Sequence, residues 1–347
     1  MEMYYLATVL PFLVCLFWTV IGLLDFHKAD VAKRALTCFG VVATILYLCH
    51  YLHYNGLQST LSESVYYLCN LSVYPLYMVY VHRLTYRHPI FWRREGPWFV
   101  PALVLFVLSL CGVPSLQQAA RWLFALVSLA AIVDATFCLV RFRKGVEEFY
   151  ASPRGKQLDP VLTLLILQMV TVSLSVLVNV MGRDAFQDDA SLIVPSALFS
   201  SLLFCIFYIG GRTTLPVPEV QYTHAEPENE SINEQQKLQL MERIESQMRE
   251  RQLFLTKGLT VADLSSIVGS NRTYVSHCIN QYRQMSFSNY VNDFRVEYAQ
   301  RLMLEDGSRT LSEVADASGF VDRSSFYRGF KRVTGENPTA WLEAHKS

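Results

Sequence analysis

Seven apolar stretches, at about residues 4–24, 35–54, 64–82, 98–116, 122–140, 160–181 and 191–211, succeed one another with only short polar breaks between them. Each is long enough, or nearly so, for an α-helix rising 1.5 Å per residue to cross ~30 Å of hydrocarbon. Residues 1–211 therefore read as a seven-helix membrane bundle, and more than half of the chain is expected to be all-α. The third stretch is the weakest, since it carries Asn70, Pro75 and the tyrosines Tyr66, Tyr67, Tyr74, Tyr77 and Tyr80. The fifth holds an acid, Asp134, at membrane depth.

The charges between the stretches orient the bundle. The first, third and fifth connections hold Lys28, Lys33 and Arg34, then Arg83, Arg87, Arg93 and Arg94, then Arg141, Arg143, Lys144, Arg154 and Lys156. The other three hold only Arg121 and Arg183, so the balance is twelve basic residues against two. Lysine and arginine are retained on the cytoplasmic side, which puts the N-terminus outside and the C-terminus inside. The N-terminus shows no basic n-region and no small-residue cleavage site, so the first stretch is expected to be a retained span.

Loops this short leave no room for an external receptor domain, and a signal must reach the bundle itself. Ionisable residues at membrane depth are costly unless paired, which makes them the sensing candidates. His50 and His53 end the second span and Glu63 precedes the third; they read either as an outer-leaflet site for protons, a metal or a small cation, or as hydrated interfacial residues. Asp134 reads as a switch residue or as a hydrogen-bond partner of Asn179 or a hydroxyl. Eight cysteines without a CxxC pair argue against a disulfide framework and against a zinc site. No phosphate-binding loop, nucleophile elbow or His-Glu-x-x-His stretch occurs, so neither an enzymatic activity nor a cofactor is expected.

The chain is neutral on average, with 30 Lys+Arg against 30 Asp+Glu, but the average mixes an apolar portion with a charged one. Residues 212–232 are acidic, polar and hold three prolines, a composition that cannot bury a core and reads as a flexible linker open to proteolysis. From Asn233 the pattern becomes helical. Leu238, Met241, Ile244 and Met248 form one apolar stripe, either a dimer seam or the packing face of a first helix. Thr260 with Asp263 caps a short helix with Ala262, Leu264 and Ile267 inward, Gly269 turns the chain, and a second helix follows with Tyr274, Val275 and Ile279 inward. The pattern recurs about fifty residues on: Thr310 caps Leu311, Val314 and Ala315, Gly319 makes the turn, and Phe326 and Phe330 bury the next helix. A longer helix over Phe287–Leu304, with Tyr290, Phe294, Ala299, Leu302 and Met303 on its packing face, separates the two helix-turn-helix units.

The run Ala315-x3-Gly319-Phe320-x2-Arg323-Ser324-x-Phe326-x-Arg328-x-Phe330-Lys331-x3-Gly335-x2-Pro338 resembles the C-terminal domain of the AraC/XylS family of bacterial transcription regulators. The first unit, Leu264-x4-Gly269-x-Asn271-Arg272-x-Tyr274-x-Ser276, resembles it as well, and together the likeness covers about a third of the chain. Trp341 departs from the family's usual aromatic-Arg ending, and a seven-span half replaces its usual soluble sensor. The resemblance implies two recognition helices in one subunit, entering major grooves one helical turn (~34 Å) apart. It implies base reading by Thr273, Ser276 and His277 in the first helix and by Arg323, Ser324 and Arg328 in the second. Arg272, Arg283, Lys331 and Arg332 are placed to neutralise phosphates. Residues 233–347 hold 15 basic against 14 acidic residues, so the positive charge is local to these helices and DNA binding should be modest and salt-sensitive.

The expected molecule is a one-component regulator of the bacterial cytoplasmic membrane: a seven-helix domain over 1–211, a linker over 212–232 and a cytoplasmic DNA-binding domain over 233–347. Its expected partners are double-stranded promoter DNA, membrane lipid, a second copy of itself and, as a further candidate, RNA polymerase. The alternatives are a receptor or a transporter whose C-terminal domain binds a protein.

Overall fold

The computed structural model describes residues 2–57, 59–85, 95–113, 116–151, 158–182, 189–213, 233–305 and 309–345. Arg87, Arg93, Arg94, Arg154, Lys156 and Arg183, and the linker from residue 214 on, lie outside the described residues. Among the described residues there are fourteen α-helices and no strand. The chain divides into two compact units, Met1–Val140 with Asp159–Val217, and Arg141–Leu158 with Pro218–Ser347.

The first unit holds α1 (Glu2–Leu24), α2 (Val31–Tyr54), α3 (Thr60–Thr85), α4 (Val100–Leu110, entered through a 3-10 turn at Gly96–Phe99), the larger part of α5 (Leu116–Phe149), α6 (Leu158–Met181) and α7 (Asp189–Arg212). α1, α2, α5, α6 and α7 contain the five segments long and apolar enough to cross a membrane. The segment Gly96–Leu110 is shorter. It stops early because Gly112, in a left-handed conformation with φ +73°, and the proline that follows in the sequence cannot continue a helix. α3 is long, but its tyrosines and Asn70 keep it out of that set of five.

Trp122, Leu126, Leu129, Val133 and Phe137 form one stripe along α5, each 60–69% exposed. An apolar stripe of that extent is unfavourable in water and matches a hydrocarbon surround. The interior of the bundle is held by aromatic and polar contacts. Tyr77 and Tyr80 are fully buried, and their hydroxyls donate to the carbonyls of Leu164 (3.1 Å) and Gly210 (3.4 Å). Buried polar groups in such surroundings must find partners, and these do.

The second unit begins inside α5. Its last turns bury Phe142, Val146 and Phe149, while Arg143 and Lys144 stay exposed. Immediately beyond, Ala151 donates its N–H to the Leu259 carbonyl at 2.9 Å and accepts from the Ser288 hydroxyl at 3.1 Å. The stretch that reads as a basic cytoplasmic loop is thus partly helix, and its end is stitched into the C-terminal unit.

That unit continues with α8 (Glu234–Glu250), a 3-10 turn at Leu253–Leu255, α9 (Val261–Val268), α10 (Arg272–Arg283), α11 (Phe287–Glu305), α12 (Leu311–Ala317), α13 (Arg323–Thr334) and α14 (Pro338–His345). The α8 stripe is Leu240, Met241, Ile244 and Met248; Leu238, expected inward, is 49% exposed. Both residues fit a helical stripe through Met241 and Ile244, so periodicity alone does not choose between them. Likewise α9 packs on Val261, Leu264, Ser265 and Val268, and Ile267, expected inward, faces out.

Candidate nucleic-acid interface and sensing residues

Each of the two helix pairs is set by local chemistry. Thr260 accepts the Asp263 N–H (3.1 Å) while the Asp263 carboxylate accepts the Thr260 N–H (2.9 Å). Thr310 and Glu313 repeat the arrangement at 3.3 and 2.8 Å. Such reciprocal caps satisfy N–H groups that a helix start otherwise leaves unpaired, and each contributes about 1 kcal/mol. Gly319 turns the second pair at φ +79°, and a Cβ there would stand 2.8 Å from the Leu255 backbone. No other residue fits. Asn271 caps α10 through the Thr273 N–H (2.9 Å), and Asp322 caps α13 through the Ser325 N–H (2.8 Å).

α13 is cleanly divided. Phe326 and Phe330 are fully buried in a core with Val314, Phe320 and Trp341, while Arg323, Ser324, Arg328 and Lys331 are exposed on the other side. Arg323 lies over the Tyr327 ring at 5.1 Å and donates to its hydroxyl at 3.0 Å, which holds the phenol below its ordinary pKa. This intrahelical support fixes Arg323 without consuming its charge. The face has the composition that base and phosphate contacts require: planar forked donors, a hydroxyl and a lysine.

α10 presents less. His277 is exposed and Thr273 and Arg272 are half-buried, but Ser276 is only 6% exposed. At 100° per residue, position 276 falls at the rim of the packing face formed by Val275, Cys278 and Ile279, and a short side chain there does not reach out. Ser276 is thus the least accessible of the three residues expected to read bases from α10. Two of the four expected phosphate contacts are also engaged elsewhere. Arg283 pairs with Glu245 of α8, and Arg332 pairs with Asp293 of α11 and donates to the Asn289 carbonyl (3.1 Å). Both carboxylates come from neighbouring helices, whose positions the local sequence does not reveal.

Arg295 belongs to no motif in the sequence. It is fully buried, donates to the carbonyls of Phe254 (2.6 Å) and Thr256 (3.0 Å), and is held down to a pKa of about 10 by burial. It ties α11 to the turn preceding α9 and is structural. Its carbonyl partners lie about forty residues away in the chain, and no motif marks them.

In the bundle, His53 Nδ1 lies 3.5 Å from Glu63 Oε1, so those two are brought together as expected. His50 instead sits among rings, stacked on Tyr54 and edge-on to Tyr66. Among the described residues no group of three His, Cys, Asp or Glu converges to hold a metal. Asp134 Oδ2 lies 2.8 Å from His82 Nε2, a partner from α3. His82 Nδ1 stands 3.6 Å from Glu95, which in turn pairs with Arg83, so a chain of ionisable groups, buried except at the half-buried Asp134, links α3, the residue before the 3-10 turn and α5. Placing acid and base together in this way lowers the cost of burying charge.

Residues 264–344 match the family model described as a helix-turn-helix domain. An uncharacterised HTH-type transcriptional regulator of Bacillus subtilis, YobQ, is 36% identical over 84 residues, 24% of this chain and 34% of that protein. Another of Escherichia coli, YijO, is 34% identical over 74 residues, 21% of this chain and 26% of that protein. The chain thus spans about a third of the first relative's length and about a quarter of the second's. A solved structure of a protein of unknown function from Listeria innocua aligns at a TM-score of 0.28 and 28% identity, covering 30% of this chain and 97% of that one.

Proposed function

We propose that this chain, whose C-terminal region carries an AraC-type helix-turn-helix domain, is a membrane-bound one-component transcription regulator. α1–α7 form seven spans with the N-terminus outside and the C-terminus in the bacterial cytoplasm. The bundle senses a signal, and its state sets whether the C-terminal unit occupies promoter DNA. Two helix-turn-helix units, α9–α10 and α12–α13, act in one subunit. Arg323, Ser324 and Arg328, with Thr273 and His277, read bases, and Arg272 and Lys331 neutralise phosphates. A homodimer would raise the effective concentration of the domains at paired sites, and RNA polymerase is the partner an activator would meet there. No catalytic role is assigned.

The observation that carries this reading is α13. One face is locked into the core by Phe326 and Phe330, and the other displays Arg323, Ser324, Arg328 and Lys331 to solvent. Within the C-terminal unit, Phe149 and Ala151 are fully buried. The test is crosslinking of the tagged full-length protein in its host, followed by sequencing of the recovered DNA. A few sharp promoter peaks, lost when Arg323 and Arg328 are changed to Ala, are expected; peaks that survive the change would remove DNA reading from α13.

A further inference from the structure

The bundle holds a partly open cavity of about 160 Å³ lined by residues of α1, α2, α3, α5, α6 and α7. We infer that it is a binding site for a small monocarboxylate with a compact apolar body, held by Arg121; the inference rests on the reading of the bundle as a sensor. A cavity of about 150 Å³ accommodates a body the size of benzene. Much of the wall is aromatic, with Tyr47, Tyr66, Tyr74 and Phe124 among its residues.

Charge supplies the chemistry. Among the described residues, neither Asp nor Glu lines this cavity, and Arg121 has no carboxylate partner. A guanidinium in such a place is stabilised by an anion, and a carboxylate matches its fork of donors. Its position is defined by the backbone: Gly182 has φ +85°, and a Cβ there would collide with the Arg121 guanidinium. A second feature points to a ligand. Gln168 lines the cavity at 3% exposure, and its Oε1 has no hydrogen-bond partner among the described residues. An unmade buried acceptor costs about 1–3 kcal/mol, which a hydroxyl on the ligand would recover.

Access is provided by a second, wider cavity of about 1170 Å³, which shares His53, Tyr67, Gln117 and Arg121 with the first. It is bordered by Ser59 and Thr60 before α3 and by Val113 after α4, at the bundle end assigned to the outside. Glu63 also lines it, but faces His53 at 3.5 Å. Arg121 therefore lines both the outer vestibule and the inner site.

The test uses the full-length protein in an uncharged detergent, with butyrate, β-hydroxybutyrate and butyramide as probes in titration calorimetry and thermal unfolding. Both carboxylates are expected to bind and the amide not to. Arg121→Gln should weaken carboxylate binding about tenfold to a hundredfold without changing the ligand-free unfolding temperature. Gly182→Ala should weaken it by displacing the guanidinium with the charge intact, and Gln168→Leu should abolish any preference for the hydroxylated probe. Equal binding of butyramide, or carboxylate binding indifferent to both Arg121→Gln and Gly182→Ala, would overturn the inference. So would native mass spectrometry showing a phospholipid retained by the wild type, lost in Arg121→Gln, and no carboxylate binding, since the anion would then be a lipid headgroup. Promoter occupancy is read separately: occupancy without carboxylate binding removes the ligand and leaves the regulator, and the converse removes the regulator and leaves the ligand.

Discussion

The two helix pairs of the C-terminal unit share a plan and differ in what they offer. Both begin with a threonine cap answered by an acid three residues on, and both turn at a left-handed glycine. Yet α13 displays Arg323, Ser324, Arg328 and Lys331, whereas α10 displays chiefly His277, with Thr273 and Arg272 half-buried, Ser276 inside and Arg283 paired to Glu245. The same scaffold thus gives one cationic face and one nearly neutral face. On the DNA-binding reading proposed above, α13 would supply most of the electrostatic attraction, and α10 a smaller share through Arg272 together with neutral hydrogen bonds.

The largest expected effect tests that asymmetry. Changing Arg323 and Arg328 together to Ala should weaken promoter binding about a hundredfold or more, since a bidentate base contact contributes about 1–3 kcal/mol; Thr273→Ala with His277→Ala should cost less in the same gel-shift assay. Equal losses would erase the distinction between the pairs. Next, Arg295→Met should destabilise the C-terminal unit by about 2–4 kcal/mol, because the carbonyls of Phe254 and Thr256 lose their donor in a closed core. Thermal unfolding reports it, and Arg295→Lys should recover part.

A smaller effect separates free from committed cations. Lys331→Ala should lower the slope of log affinity against log salt by about one. Arg283→Ala should leave the slope nearly unchanged, because Glu245 already holds that guanidinium. A matching drop for Arg283 would mean that the pair opens on DNA. The smallest effect concerns Glu234, whose carboxylate is hydrogen-bonded by Lys237 and lies below its ordinary pKa. A depressed folded value means that its contribution is present above the ordinary carboxylate range and is lost as pH falls through the folded value. The unfolding temperatures of wild type and Glu234→Gln should therefore converge at acid pH.

Much of this architecture is legible in the sequence, and the failures share a cause. Helix positions followed from apolar length in the bundle and from caps and glycines in the C-terminal unit, because those signals act within a turn or two. Which face a helix buries was read well where aromatic residues decide it, as at Phe326 and Phe330. It was misread where two aliphatics compete, as with Leu238 and Leu240. Partners from distant helices were not legible: His82 for Asp134, Glu245 for Arg283, Asp293 for Arg332. Neither was the cavity beside Arg121, which appears in the sequence only as one of two basic residues on the sparsely charged side. The burial of Phe149 and Ala151 was hidden by the basic residues that surround them in the chain.

The most direct test of the account is capture of labelled promoter DNA by membrane vesicles carrying the full chain. Inside-out vesicles should retain the duplex, intact spheroplasts should not, and Arg323→Ala with Arg328→Ala should abolish retention. Capture by spheroplasts, or equal capture by wild type and variant, would contradict a cytoplasmic DNA-binding unit tethered to a sensing bundle.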